Sequence, residues 1–360
     1  MMTSETASAL GTEDVLTFIE GRTGRIRLNR PKALHALTHE MCTAMIAALS
    51  DWATNDAVDL VMMDHAEGRG FCAGGDIRML AESAQAGGEA ARAFFHEEYR
   101  LNHQLFTYAK STVAFMDGIT MGGGVGLSQP CSIRIVTDRT MYAMPETGIG
   151  LFTDVGGGWY LSRMPGRTGQ YAGLTGARLN GAECLALSLG THYVLGDDVE
   201  ALKAAIIANP KAVDAALRSA VSPVPEAPIL DRRADIDRLF ASDRYEDILA
   251  ALAADGGEWA LATLKTLETK SPQTCKVVLR LLIEGAKLKD FADEMRMEYA
   301  VGAHIIARPD FIEGVRAVII DKDHAPRWSP ATADAVSDAE IDAIFQPLPS
   351  GQGWTPLPNA

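Results

Sequence analysis

Residues Met121–Gly158 read MGGGVGLSQPCSIRIVTDRTMYAMPETGIGLFTDVGGG. Two glycine clusters, Gly122–Gly124 and Gly156–Gly158, bracket the stretch, and two carboxylates, Glu146 and Asp154, stand between them. Glycine has no Cβ, so its backbone can approach a ligand closely. It also opens φ > 0, which lets successive N–H groups turn toward one point. Such donors beside acids suit chemistry at a carbonyl. The donors hold a developing oxyanion, and an acid attacks or moves a proton. Upstream, Phe71-Cys72-Ala73-Gly74-Gly75-Asp76-Ile77 follows the apolar run Asp59-Leu60-Val61-Met62-Met63, which reads as a buried strand. Asp76 reads as the N-cap of a following helix, and this second glycine turn offers a second donor.

Working outward, Val15–Glu20 and Gly24–Leu28 read as strands and Thr38–Asn55 as a helix. Glu89–Ala109 reads as a second helix, Thr112–Met116 as a strand, and Val125–Gln129 as a short helix stopped by Pro130. Ser132–Thr137 and Thr140–Ala143 read as further strands. This alternation predicts an α/β fold. Beyond Gly158 come broken helical pieces, a last strand at Thr191–Leu195, and helices at Glu200–Ala208 and Ala212–Ala220. Ser222–Pro228 has the composition of a linker. Asp231–Ile320 is nearly all helical in pattern, with Ser271-Pro272 as a helix start. The reading divides the chain into a tail over 1–12, a core over 13–200, a helical region over 201–345 and a loosely held tail over 346–360.

Composition narrows the function. Thirty-three basic against 47 acidic residues give a net charge of −14. Such a chain is a poor partner for nucleic acid or an anionic membrane surface, and it repels a polyanionic ligand unless a local basic patch exists. Five cysteines, widely spaced and without a CxxC pair, argue against a disulfide framework and for a reducing compartment. No apolar run has transmembrane length. The first dozen residues carry no recognisable signal, so the expected location is cytoplasmic. The histidines show no metal-ligand spacing such as HExxH, so no metal is expected. GGGVG is not the GxGxxG dinucleotide fingerprint, and neither a P-loop nor GxSxG occurs.

FCAGGDI, GITMGGGVGL, MPETGIG and DVGGG together resemble the crotonase (enoyl-CoA hydratase/isomerase) superfamily. EEYRLNHQL at Glu97–Leu105 and RPDFIEGVRAVIIDKD at Arg308–Asp323 resemble its 3-hydroxyisobutyryl-CoA hydrolase branch. The resemblance implies a spiral of β-β-α repeats with an additional C-terminal helical region. It implies an acyl-CoA thioester as substrate, with no other cofactor, and a place in valine catabolism. The N–H groups of Gly75 and Gly123 match the two oxyanion donors, with Ala73, Gly74, Asp76 and Ile77 around the substrate. Glu146 matches the principal catalytic carboxylate, as nucleophile or as general base. Asp154 matches an acid that holds the substrate hydroxyl or assists proton transfer, and a simple helix cap is the bland alternative. Glu98 matches a substrate-contacting glutamate, against the alternative of a solvated acidic face. Arg30 and Lys32 match the segment that meets the adenine and phosphates of coenzyme A. Relatives often form trimers, which leaves a homo-oligomer open.

The chain also departs from the pattern. Thr153 stands where the branch usually has proline, and His35 where asparagine is common. Gly126 stands where hydratases of the superfamily usually carry a second glutamate. That absence favours thioester hydrolysis over hydration of a double bond. Cys72 reads as packing. An enoyl-CoA hydratase or isomerase is the rival enzyme, and a non-catalytic acyl-CoA binder the rival of another class.

Overall fold

The structure is a computed structural model, and it describes residues 11–358. The expected tail over 1–12 therefore lies almost wholly outside the described residues. Among the described residues ten strands form two sheets. They are β1 (Val15–Glu20), β2 (Thr23–Leu28), β3 (Leu60–His65), β4 (Gly70–Cys72), β5 (Ser111–Met116), β6 (Ile119–Met121), β7 (Ile133–Val136), β8 (Met141–Ala143), β9 (Leu179–Asn180) and β10 (His192–Tyr193). The first five helices are α1 (His39–Thr54), α2 (Ile77–Gln85), α3 (Glu89–Phe106), α4 (Gly123–Ser128) and α5 (Gly157–Leu161).

The larger sheet has the order β1-β2-β3-β5-β7-β10 and the smaller the order β4-β6-β8-β9. Successive strands alternate between them: β3 then β4, β5 then β6, β7 then β8. After each of the first two pairs the chain enters a helix. This is the expected β-β-α spiral. Its central strands are parallel, and they are buried on both faces, as parallel sheets are. In β3, Val61 and Met63 face the main core while Leu60 and Met62 face a second cluster. That second cluster is closed by Val199, Leu202, Ile206 and Leu217 from the helices Val199–Ala208 and Val213–Ala220.

The spiral decides the site. β4, β6 and β8 run parallel in the small sheet, so their C-terminal ends lie side by side. β4 leads into Gly74 and Gly75, β6 into Gly122 and Gly123, and β8 into Glu146. Sequence reading missed β4, β6 and β9, short strands defined by the neighbours they pair with.

The helical region is not a separate lobe. One apolar cluster runs from Met41, Phe94 and Phe152 through Val278, Phe291 and Phe311. Ser271 caps the helix Pro272–Gly285 by accepting from Thr274 N, with Pro272 in the first turn, as expected. Residues 221–227 carry no helix or strand, in keeping with a linker composition. The expectation of a loosely held tail over 346–360 is corrected. Trp354 is 2% exposed and its Nε1 donates to His96 O at 3.1 Å, while Arg100 Nε donates to Thr355 O. A large aromatic ring outweighs the proline- and glycine-rich composition around it.

Candidate active site

Gly74 adopts φ +114° and Gly122 φ +46°, conformations that favour glycine. The two turns touch. A Cβ on Gly122 would stand 3.2 Å from the Gly74 Cα, and one on Gly74 3.9 Å from the Gly123 nitrogen. Among the described residues neither Gly75 N nor Gly123 N donates to a backbone acceptor. Gly123 opens α4, where the first N–H groups have no partner inside the helix.

Three carboxylates converge on these turns. Glu98, Glu146 and Asp154 are all buried. A Cβ on Gly123 would meet Glu98 Oε1 at 2.7 Å, and one on Gly122 would meet Glu146 Oε1 at 3.3 Å. Glu98 Oε1 and Glu146 Oε2 have no hydrogen-bond partner among the described residues. Asp154 Oδ2 accepts from the Tyr99 hydroxyl at 2.8 Å. All three line one cavity of about 550 Å³, together with Ala73, Gly74, Gly75, Ile77 and Gly123. Its far wall comes from downstream and includes Lys270, Ile319 and His324.

Burial sets the electrostatics. It pushes the Glu146 carboxyl well above the usual range, with Asp154 adding to the effect and Lys270 opposing it. Glu98 is raised by burial and then by Asp154 and Glu146. Asp154 is raised by burial to about 6, against the hydrogen bond from Tyr99. Three acids this close cannot all be ionised at neutral pH. The arrangement therefore holds carboxylate and carboxylic acid together, the combination that acid–base work needs.

Local elements explain each placement. Glu98 and Tyr99 are adjacent on α3 and both point inward. The solvated-face alternative for Glu98 does not hold, since it is only 2% exposed. Asp154 does not cap the next helix with its side chain. That role falls to Glu298, which accepts from Gly156 N at 2.8 Å and Gly158 N at 3.1 Å. Val155 and Gly156 both have positive φ here, and this turn aims Asp154 at the cavity. Burial pushes the Cys72 thiol up to about 12, so it is protonated at neutral pH. A Cβ on Gly126 would meet Asn102 Nδ2 and Val155 Cβ, each at 2.7 Å, so no second glutamate fits there.

Three expected contacts are not brought to the cavity. The Arg30 guanidinium donates to Asp76 at 2.8 Å and to Ala36 O at 3.0 Å. Asp76 is spent on that ion pair and on capping α2 through Met79 N. Neither they nor Lys32 line the cavity. Arg30 looked available because the sequence does not show that Asp76 folds back onto it. Conversely, Tyr99 and Glu298 were missed, since no local spacing marks a residue whose partner is 55 or 142 positions away.

The comparisons with known proteins can be set against this geometry. The family described as "Enoyl-CoA hydratase/isomerase" matches residues 23–345. The chain belongs to that family. A zebrafish (Danio rerio) protein named "3-hydroxyisobutyryl-CoA hydrolase, mitochondrial" is 40% identical over 357 residues, covering 97% of this chain and 92% of that protein. The human (Homo sapiens) protein of the same name is 39% identical, covering 94% and 90%. A crystal structure titled as a carnitinyl-CoA dehydratase from Mycobacterium thermoresistibile has a TM-score of 0.91 at 41% identity, covering 94% of this chain and 98% of that one. One titled as an enoyl-CoA hydratase from Rhodobacter sphaeroides 2.4.1 has a TM-score of 0.88 at 37% identity, covering 95% and 99%. The crotonase fold follows. The cytoplasmic expectation is corrected by the names of the zebrafish and human relatives, which are mitochondrial. A short N-terminal stretch was too little to read a location from.

Proposed function

We propose that this enzyme hydrolyses the thioester of a short 3-hydroxyacyl-CoA, with 3-hydroxyisobutyryl-CoA as the foremost substrate. The observation that carries the reading is the pair of touching glycine turns with Glu146 against one of them, lining the cavity, and one of its carboxylate oxygens without a hydrogen-bond partner among the described residues. The thioester oxygen would sit between Gly75 N–H and Gly123 N–H, which strengthen their hold as charge develops. In one route Glu146 attacks the carbonyl carbon, the C–S bond breaks, and the thiolate of coenzyme A leaves. Water then cleaves the resulting anhydride. In the other route Glu146 takes a proton from a water that attacks directly. Either yields the free acid and coenzyme A. The leaving thiol needs little acid help, its reference pKa being about 8.5. Asp154, held by Tyr99, and Glu98 would receive the 3-hydroxyl. The relatives named as 3-hydroxyisobutyryl-CoA hydrolases support this substrate, and with it a step of valine breakdown.

The titles of the two solved structures favour a second reading, addition or loss of water at a double bond. The filled space beside Gly126 counts against it. One assay separates them. With 3-hydroxyisobutyryl-CoA we expect free thiol to appear, and with crotonyl-CoA no loss of enoyl absorbance. Enoyl absorbance lost without thiol would establish the rival, and no reaction with either would leave only a binder.

A further inference from the structure

Tyr99 stands behind the cavity rather than in its lining. Its ring is fully buried on α3, one residue after Glu98. Its hydroxyl donates to Asp154 Oδ2 at 2.8 Å, and among the described residues this is the one hydrogen bond that reaches the Asp154 carboxylate from another residue. Asp154 itself lines the cavity. A phenol, with a reference pKa of about 10, keeps its proton beside a carboxylate, so donor and acceptor are fixed. One oxygen of Asp154 is thus taken from behind, which sets the plane of the carboxylate and leaves Oδ1 to meet a ligand. Both ends of this arrangement are anchored by one downstream helix, Phe291–Ile305. Glu298 holds the turn after Asp154 through Gly156 N and Gly158 N. The next residue, Tyr299, meets the Tyr99 ring edge-on, with centroids 6.4 Å apart at 84°, and Phe95 packs against the same ring at 5.8 Å.

We propose that Tyr99 is the positioning residue that makes the site selective for acyl groups bearing a 3-hydroxyl. The inference rests on the proposed thioester hydrolysis and on Asp154 receiving that hydroxyl. A carboxylate held at one oxygen offers the other in a fixed place, and a substrate hydroxyl there completes its hydrogen bonding. An acyl group without the hydroxyl leaves a buried carboxylate oxygen unpaired, and a site of that kind discriminates strongly. A carboxylate without the phenol behind it turns to suit whatever enters, and the discrimination fades. The Tyr99 ring, packed edge-on against Tyr299 and against Phe95, has little room to follow a displaced Asp154. The fold, and not the ligand, therefore sets where the acceptor oxygen stands.

The test is the ratio of kcat/KM for thiol release from 3-hydroxyisobutyryl-CoA to that from isobutyryl-CoA. Tyr99→Phe keeps the ring and removes the donor. We expect the ratio to fall at least about tenfold, the usual effect of one hydrogen bond to a charged group. Made in Asp154→Ala, which has lost the acceptor, the same change should leave the ratio where it was, because the two side chains act as one unit. An equal loss on both substrates, or a fall that persists without Asp154, overturns the proposal and leaves Tyr99 a packing residue. Should Tyr99→Phe not fold, Tyr299→Leu serves. Loosening the Tyr99 ring from the downstream helix must also lower the ratio, and an unaltered ratio overturns the proposal. Thiol released by the wild-type enzyme from both substrates without preference would end this inference while the proposed hydrolysis stood, whereas thiol from neither would remove both.

Discussion

A backbone amide does its work here only because nothing larger than hydrogen occupies the neighbouring position. A Cβ on Gly123 would meet Glu98 Oε1 and Leu37 Cδ1 within 3 Å, so Gly123→Ala displaces the donor or the acid. Thiol release should fall by at least about a hundredfold, the usual effect of losing one oxyanion donor, with circular dichroism unchanged. Glu146→Ala should lose more, on the order of a thousandfold or beyond, as variants without their reacting group do. Asp154 carries an opposite lesson about stability. Its folded carboxyl titrates at about 6, above the unfolded value near 4. Between those values the unfolded chain gives up its proton first, so stability declines as pH rises through this window. Asp154→Asn should therefore gain up to about 3 kcal/mol at pH 7 while losing activity. A chemical-denaturation midpoint at pH 7 no higher than wild type would show that the acid is not strained. All of these residues were legible in the chain, because glycine clusters and flanking acids are local patterns. Tyr99 and Glu298 were not, because their roles exist only once distant segments meet.

At the scale of elements, the turn that presents Asp154 depends on a helix far downstream. Glu298 satisfies Gly156 N and Gly158 N from Phe291–Ile305. Glu298→Ala leaves both donors buried without partners. We expect a loss of about 2–4 kcal/mol and a fall in kcat larger than any change in KM, read by thermal melting and steady-state assay. The long elements were foreseen nearly to the residue, as with the helix from His39 capped by Thr38. Their apolar spacing and caps are intrinsic to the local chain. The three-residue strands that carry the glycine turns were not foreseen, since such strands are defined by the neighbours they pair with.

For the whole molecule, charge patterning is resolved inside the fold as well as on its surface. Asp64 is fully buried and contacts Arg25 and Arg27 at 2.8 Å and Lys203 at 3.0 Å. Burial alone would raise its pKa, but the three cations hold it down at about 2. Its stabilisation is thus complete above pH 4 and lost as pH falls from about 4 toward 2, amounting to about 2 kcal/mol. Asp64→Asn should flatten that acid limb of stability and cost on the order of 3 kcal/mol at pH 7 by stranding buried cations. The C-terminal end makes a similar point. Trp354→Ala should cost about 3 kcal/mol, which a loose tail would not.

What the sequence determined alone was local: which segments are helix or long strand, where backbone donors can be exposed, and which acids accompany them. Those follow from periodicity, capping and the stereochemistry of glycine, all readable within a dozen residues. What only the tertiary structure decided was convergence. The alternation of strands between two sheets puts three strand ends in a row, and the packing of distant segments folds Asp76 onto Arg30 and brings Glu98 to Gly123, Lys270 to Gly148 and Glu298 to Gly156. Contacts between residues so far apart are fixed by shared burial and strand pairing, and no local pattern encodes them.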